Sequence, residues 1–187
     1  MGQKKVIFLG FQVSESGIEV DPSKTDHIRN MPAPNNHKEV QKVNGFFSYY
    51  RKFVPNFAKI AYPITQLLHK NKEFIWSQEC EDGYNKLKEI LLGDPILHHP
   101  DLNGDYILET DASKYGYGAI LSQEKEGEVR PIAFASKATR GYEQVYAPAE
   151  SECAAIVYAV KKFRPFIFGR KCYRLYRTSW FTISPYW

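Results

Sequence analysis

The sequence predicts an α+β fold in two successive parts. Three observations carry this. Apolar residues recur at three-to-four spacing between residues 36 and 92, bounded by capping residues, Gly and Pro, which is the pattern of amphipathic helices. Three short apolar runs between residues 106 and 135 are separated by Gly-containing or charged turns, the pattern of hairpin-linked strands. A further helix-period stretch opens at Pro148, so a helix follows the three antiparallel strands and lies over one face of their sheet. The chain has 187 residues, 43% hydrophobic and 25% charged. That allows one ordinary domain or two small ones with a sizeable core, and excludes a disordered chain.

The elements follow in order. Residues 5–13 read as a strand, Ser14-Glu15-Ser16-Gly17 as a turn and Ile18-Glu19-Val20 as a short return strand. Asp21 caps and Pro22 opens a helix to about Arg29, ended by the stiff segment Met31-Pro32-Ala33-Pro34. Asn36 caps a second helix through about Tyr50, with Val40, Val43, Phe46, Phe47 and Tyr50 on its buried stripe. Pro55 and Pro63 punctuate a short helical piece containing Phe57, Ile60, Ile64, Leu67 and Leu68. Ser77 caps a helix through Leu92, with Tyr84, Leu87, Ile90 and Leu91 inward. Gly93-Asp94-Pro95 closes it and divides the chain into parts 1–93 and 94–187. Strands over 106–110, 117–123 and 129–135 come next. The last helix runs from Pro148 to about Phe163, with Cys153, Ile156, Val157 and Val160 inward.

Composition narrows the function classes. Eleven prolines and twelve glycines are scattered, so there is no collagen-like or low-complexity tract. No apolar run approaches the ~18 residues of a spanning helix, and the N-terminus has no signal core; an intracellular protein without a membrane partner is expected. Cys80, Cys153 and Cys172 have neither disulfide nor zinc spacing and are expected as reduced thiols. Net charge is +4, but no Asp or Glu follows Glu152. The tail beyond it carries Lys161, Lys162, Arg164, Arg170, Lys171, Arg174 and Arg177, which suggests a polyanion partner or a poorly neutralised surface.

Two acids stand out. Asp111 ends an apolar strand, where burial is costly unless the carboxylate is paired or metal-bound; the plain alternative is that it starts a turn. Gly116 and Gly118 on the next strand allow another backbone to approach closely. Glu152 lies one turn into the last helix, at the border of its buried face, although acids favour helix starts in any case. Together they suit a hard divalent cation, Mg²⁺ or Mn²⁺. Glu150 lies on another helical face, and Glu109, of the same strand parity as Asp111, ranks below it. His98 and His99 read as loop residues. Residues 46–53 interleave aromatics with Arg51 and Lys52, which can grip nucleic acid; Phe46, Phe47, Tyr50 and Phe53 also read as core. Lys38 and Lys42 lie off the apolar stripe of their helix and join Arg51 and Lys52 as candidate phosphate contacts.

These residues resemble a family. Phe8-Leu9-Gly10, Asp21-Pro22-Ser23-Lys24, Tyr49-Tyr50-Arg51-Lys52-Phe53, Pro55-Asn56-Phe57, Pro63-Ile64-Thr65-Gln66-Leu67-Leu68, Phe74-Ile75-Trp76, Thr110-Asp111-Ala112-Ser113, Pro131-Ile132-Ala133-Phe134, Glu152-Cys153-Ala154-Ala155-Ile156 and Phe163-Arg164-Pro165 occur in this order. The set, over about residues 6–171, is similar to the Pol polyprotein of gypsy-type LTR retrotransposons. The resemblance implies the end of a reverse transcriptase palm (the hairpin), a helical thumb to about Leu92, and then an RNase H-like domain. It implies Asp111 and Glu152 as two of four carboxylates that hold two divalent ions while the RNA strand of an RNA–DNA hybrid is cut. It also implies a thumb that holds the hybrid by its phosphates, with the rest of the polyprotein as a partner.

Departures from the family set further expectations. The polymerase Asp-Asp motif would precede Val6. After Gly169-Arg170-Lys171 the family continues into a strand ending Thr-Asp-His, whereas Cys172–Trp187 contains no carboxylate; a frameshifted tail would account for this. Phe11 and Gly83 stand where the family usually has His and Ala, and read as drift. Two carboxylates against two dications, with basic residues nearby, predict a chain that neither polymerises nor cleaves efficiently. A sheet short by at least one strand, with an exposed edge, is expected. A non-enzymatic nucleic-acid-binding module and a nuclease completed by a partner chain are the competing readings.

Overall fold

The computed structural model describes residues 4–70, 72–176 and 179–183, with side chains through Tyr173. Strands β1 (Lys5–Phe8), β2 (Phe11–Ser14), β3 (Gly17–Val20) and β4 (Ile96–Leu97) form an antiparallel sheet in sequence order. The strand expected over residues 5–13 is therefore two strands. Leu9 and Gly10 both adopt positive φ (47° and 72°), the signature of a tight hairpin turn. The turn is tied down by Tyr49, whose hydroxyl donates to the Leu9 carbonyl, and by Tyr50, which donates to the Gly10 carbonyl at 3.3 Å.

Asp21 caps the next segment, its carboxylate accepting from the Ser23 amide at 2.9 Å. A single 3₁₀ turn, Pro22–Lys24, leads into α1 (Thr25–Asn30). Helix α2 (His37–Tyr49) starts at Asn36, which accepts from the Glu39 amide at 3.0 Å. Two short helices, α3 (Phe57–Ile60) and α4 (Tyr62–Gln66), precede α5 (Gln78–Leu92), capped by Ser77. Phe47, Phe53, Ile64, Tyr84 and Leu87 fill the core between these helices. Tyr84 donates to the Met31 carbonyl at 2.7 Å, with the Pro32 carbonyl at 3.0 Å, so the proline-rich segment is pinned to α5. Burial, reinforced by Glu81, pushes the Tyr84 phenol up to about 12. Gly83 is not drift: a Cβ there would lie 2.7 Å from the Ile60 carbonyl oxygen, so its absence lets α3 approach α5.

The second sheet has the order β7-β6-β5-β8-β9. Strands β5 (Tyr106–Ser113), β6 (Gly116–Lys125) and β7 (Glu128–Ala138) make the expected antiparallel meander, each longer than the sequence suggests. Helix α6 (Pro148–Ile167) crosses over and returns the chain to β8 (Cys172–Tyr176), which pairs parallel to β5, followed by β9 (Ser179–Ile183). The missing strand and open β5 edge are thus corrected: the basic tail supplies two strands, and Cys172 sits beside Tyr106. The expected contribution of Arg174 and Arg177 lies outside the described side chains.

The inner face of α6 also differs from expectation. Ala155, Ala159, Phe163 and Ile167 are buried, while Cys153 and Val157 are exposed, Val157 at 52%. Alanines carry little periodic signal, yet their small side chains bring α6 down onto Leu108, Ala119, Leu121 and Ala135. Burial pushes the Cys172 thiol up to about 11, and all three cysteines are free. No described helix is long and apolar enough to cross a membrane.

Candidate active site

Because α6 runs back along β5 before entering β8, its first turns stand at the end of β5 that carries Asp111. Glu152 extends the buried stripe of α6 by one step before Ala155 and is half-buried. Glu150 has a structural task instead: its carboxylate accepts the Ala147 amide at 2.8 Å and caps the helix. The two candidate acids thus reach one end of the sheet from different layers. Leu108, Ala119 and Leu121 face α6, so strand alternation places Asp111, paired with Gly118, on the opposite face.

That opposite face is covered by the helical part. Asn56 Nδ2 donates to Asp111 Oδ2 at 3.0 Å, and Lys59 Nζ lies 3.9 Å from the same oxygen. Arg51 Nη2 donates to the Ser136 carbonyl at 2.5 Å, and the Ala58 amide donates to Ser136 Oγ at 3.2 Å. Tyr62 packs on Tyr115 with ring centroids 4.2 Å apart. His98 and His99 join the parts elsewhere, donating to the Ser16 carbonyl at 3.1 Å and the Ser14 carbonyl at 2.8 Å.

The surroundings of Asp111 do not fit a divalent metal centre. Its Oδ2 meets an amide N–H and an ammonium, both donors, where a hard dication requires anionic or carbonyl oxygens. Among the described residues no three His, Cys, Asp or Glu side chains gather as a ligand set.

The four candidate phosphate contacts divide. Lys38 and Lys42 are exposed on α2 and form no ion pair among the described residues. Arg51 is spent on Ser136 and lies 5.3 Å from the Phe57 ring centroid. The Lys52 ammonium sits 3.5 Å from the Phe11 ring centroid, and burial lowers its pKa.

One buried acid escaped the sequence reading. Glu143, in a 3₁₀ turn (Gly141–Val145), accepts from Lys137 Nζ at 2.7 Å and from the Arg140 amide at 2.7 Å. Burial alone would raise its pKa, but the Lys137 hydrogen bond and the Arg140 amide outweigh this and hold it below the usual carboxylate range. The pair fixes the turn that feeds α6. Neighbouring Tyr117 is buried, and its hydroxyl has no hydrogen-bond partner among the described residues.

Residues 76–173 match the family described as the RNase H-like domain found in reverse transcriptase. Similar curated proteins include the Pol polyproteins of the Drosophila melanogaster transposons 412 and 297, 38% and 40% identical over 89% and 90% of this chain. The Pol polyprotein of transposon gypsy from the same organism is 37% identical over 90%. The chain spans only 13%, 16% and 17% of those proteins. Among solved structures, a foamy viral protease-reverse transcriptase in complex with an RNA/DNA hybrid superposes with a TM-score of 0.73 at 25% identity, covering 91% of this chain and 23% of that one. The dRH form of that enzyme in complex with double-stranded DNA gives 0.75 over the same share of this chain and 30% of its own. The gypsy-type resemblance and the α+β architecture are therefore both borne out, and the chain belongs to the family of RNase H-like domains found in reverse transcriptases.

Proposed function

We propose that this chain is a nucleic-acid-holding segment of a retrotransposon reverse transcriptase/RNase H and that alone it neither polymerises nor cleaves efficiently. The intact protein would copy RNA into DNA and cut the RNA strand of RNA–DNA hybrids with divalent ions, Asp111 and Glu152 descending from its metal-binding carboxylates. The observation that carries the reading is an asymmetry of charge. Lys38 and Lys42 stand outward without a carboxylate partner among the described residues, whereas the half-exposed Asp111 carboxylate is already met by two donors. Outward cations suit phosphates; a lone, internally paired carboxylate does not suit two dications. Arg51 and Lys52 contribute only if the polyanion draws them from Ser136 and Phe11. The matched foamy viral enzymes, solved with DNA and with an RNA/DNA hybrid, support the same class of partner.

A mobility-shift titration with RNA–DNA hybrid over a salt series tests the binding. Affinity should fall steeply with salt, and replacing Lys38 and Lys42 by Ala should reduce the log–log slope by about 2, near 0.9 per phosphate contact. Absent or salt-independent binding overturns it. Incubation of labelled hybrid with Mg²⁺ or Mn²⁺, beside Asp111→Asn, tests the inactivity. Turnover that disappears in Asp111→Asn would show a working nuclease site.

A further inference from the structure

We propose that the outward C-terminal half of α6 is a second nucleic-acid site, one for single strands, built by Lys161, Arg164 and Phe168 with Lys162 and Lys171 at its border. The site is independent of the hybrid surface: it uses neither Lys38 nor Lys42 and takes a different ligand. No Asp or Glu follows Glu152, and helical spacing turns that imbalance into a stripe. Ala155, Ala159, Phe163 and Ile167 hold α6 to the sheet. Val157, Lys161 and Arg164 recur at three-to-four spacing on the other side, and all three are exposed. Phe168 continues the stripe at the helix cap and is 60% exposed. Lys161, Lys162, Arg164 and Lys171 form no ion pair among the described residues. Arg170 does not belong to the site. Burial raises the Tyr106 pKa, and Arg170 and Asp101 push it in opposite directions, so a carboxylate shares the surroundings of Arg170.

Charge alone does not single out a ligand, because cations near a helix C-terminus also offset its dipole. The aromatic ring does. Its amide donates to the Arg164 carbonyl at 3.0 Å, Gly169 ends the helix with a positive φ (73°), and the Arg170 amide donates to the Ile167 carbonyl at 3.1 Å. The Lys171 carbonyl accepts from the Tyr106 amide at 3.1 Å, which anchors the turn on β5. Phe168 is thus presented to solvent by a fixed turn, and a ring held in place loses little freedom on binding. The Arg164 guanidinium lies 5.0 Å from its centroid. A cation beside an open ring supplies a phosphate partner and a stacking surface together, the two features that grip an unpaired nucleotide. A duplex offers the phosphates but keeps its base faces stacked. The site lies on the sheet face that α6 covers, whereas the helical part, with Lys38 and Lys42, covers the other.

The test is fluorescence anisotropy of the full chain with a labelled single-stranded pyrimidine DNA of about 12 nucleotides, beside an abasic backbone of the same length. Phe168→Ala should weaken binding of the base-bearing strand about 5-fold or more, and of the abasic backbone much less. Phe168→Trp should restore it. Lys161→Ala/Arg164→Ala should weaken both ligands and lower the log–log salt slope by about 1.4, near 0.7 per single-strand phosphate contact. Lys86→Ala/Lys125→Ala removes two exposed lysines elsewhere and should leave affinity within about 2-fold; an equal loss there would show a net-charge effect and overturn the site. Wild-type affinity for the base-bearing strand in Phe168→Ala would overturn it as well. Lys38→Ala/Lys42→Ala separates the two surfaces. If it weakens single-strand binding as much as Lys161→Ala/Arg164→Ala does, there is one shared surface and no second site, whatever becomes of hybrid binding. Phe168-dependent pelleting with phosphatidylserine vesicles, in the absence of oligonucleotide binding, would reassign the face to a membrane surface and overturn the proposal.

Discussion

The two faces of the five-stranded sheet are built by different chemistry. Towards α6 the contact is apolar, made by Leu108, Ala119 and Leu121 against Ala155, Ala159 and Phe163. Towards the helical part it is largely polar, made by Asp111, Ser136, Asn56 and Arg51 around two glycines. The first holds by burial, which acts without fine geometry. The second holds by directed bonds that act only when the backbones stand close. A single β-meander thus carries an apolar core on one side and a polar docking surface on the other.

The sharpest way to break this contrast is to hollow the apolar face. Phe163→Ala should cost about 3–5 kcal/mol in urea unfolding and loosen α6 together with Glu152. Next comes the buried pair at the edge of that face. Glu143→Ala leaves the Lys137 ammonium without its partner and should cost about 2–3 kcal/mol. The sign with pH follows from the depressed pKa of Glu143. Its contribution is complete above the ordinary glutamate range and is lost as pH falls through the lowered folded value. Glu143→Gln should therefore flatten the acid limb of a stability–pH curve. The smallest effect belongs to the polar face. Lys59 and Asp111 are about half exposed (54% and 48%) and 3.9 Å apart, so Lys59→Ala should cost less than about 1 kcal/mol, and the difference should vanish at high salt. A larger penalty for Lys59→Ala than for Phe163→Ala would invert the contrast.

Much of the helical part was legible because its signals are local. Asn36, Ser77 and Asp21 announce helix starts through their own side chains, and each caps as read. Large apolar residues at helical spacing identified the core around Phe47, Tyr84 and Leu87. What escaped depends on partners distant in sequence. The Leu9–Gly10 turn is hidden because Leu9 takes positive φ against its own preference, held by Tyr49 forty residues away. The buried stripe of α6 was misassigned because Ala155 and Ala159 are defined by what they let approach. The carboxylates of Asp111 and Glu152 were legible as residues, but not the donors facing Asp111. Asn56 reads as a turn residue until Gly118 is seen beneath it. Glu143 gave no signal at all, since one acid in a polar turn looks solvated.

The parallel pairing of β8 with β5 has a consequence for biosynthesis. Tyr106 waits for Cys172, which emerges 66 residues later. Until then β5 offers free amides and carbonyls along one side, backed by the apolar residues Ile107 and Leu108. Such a border recruits strands from neighbouring nascent chains, so the stretch translated after α6 also shields the meander from self-association.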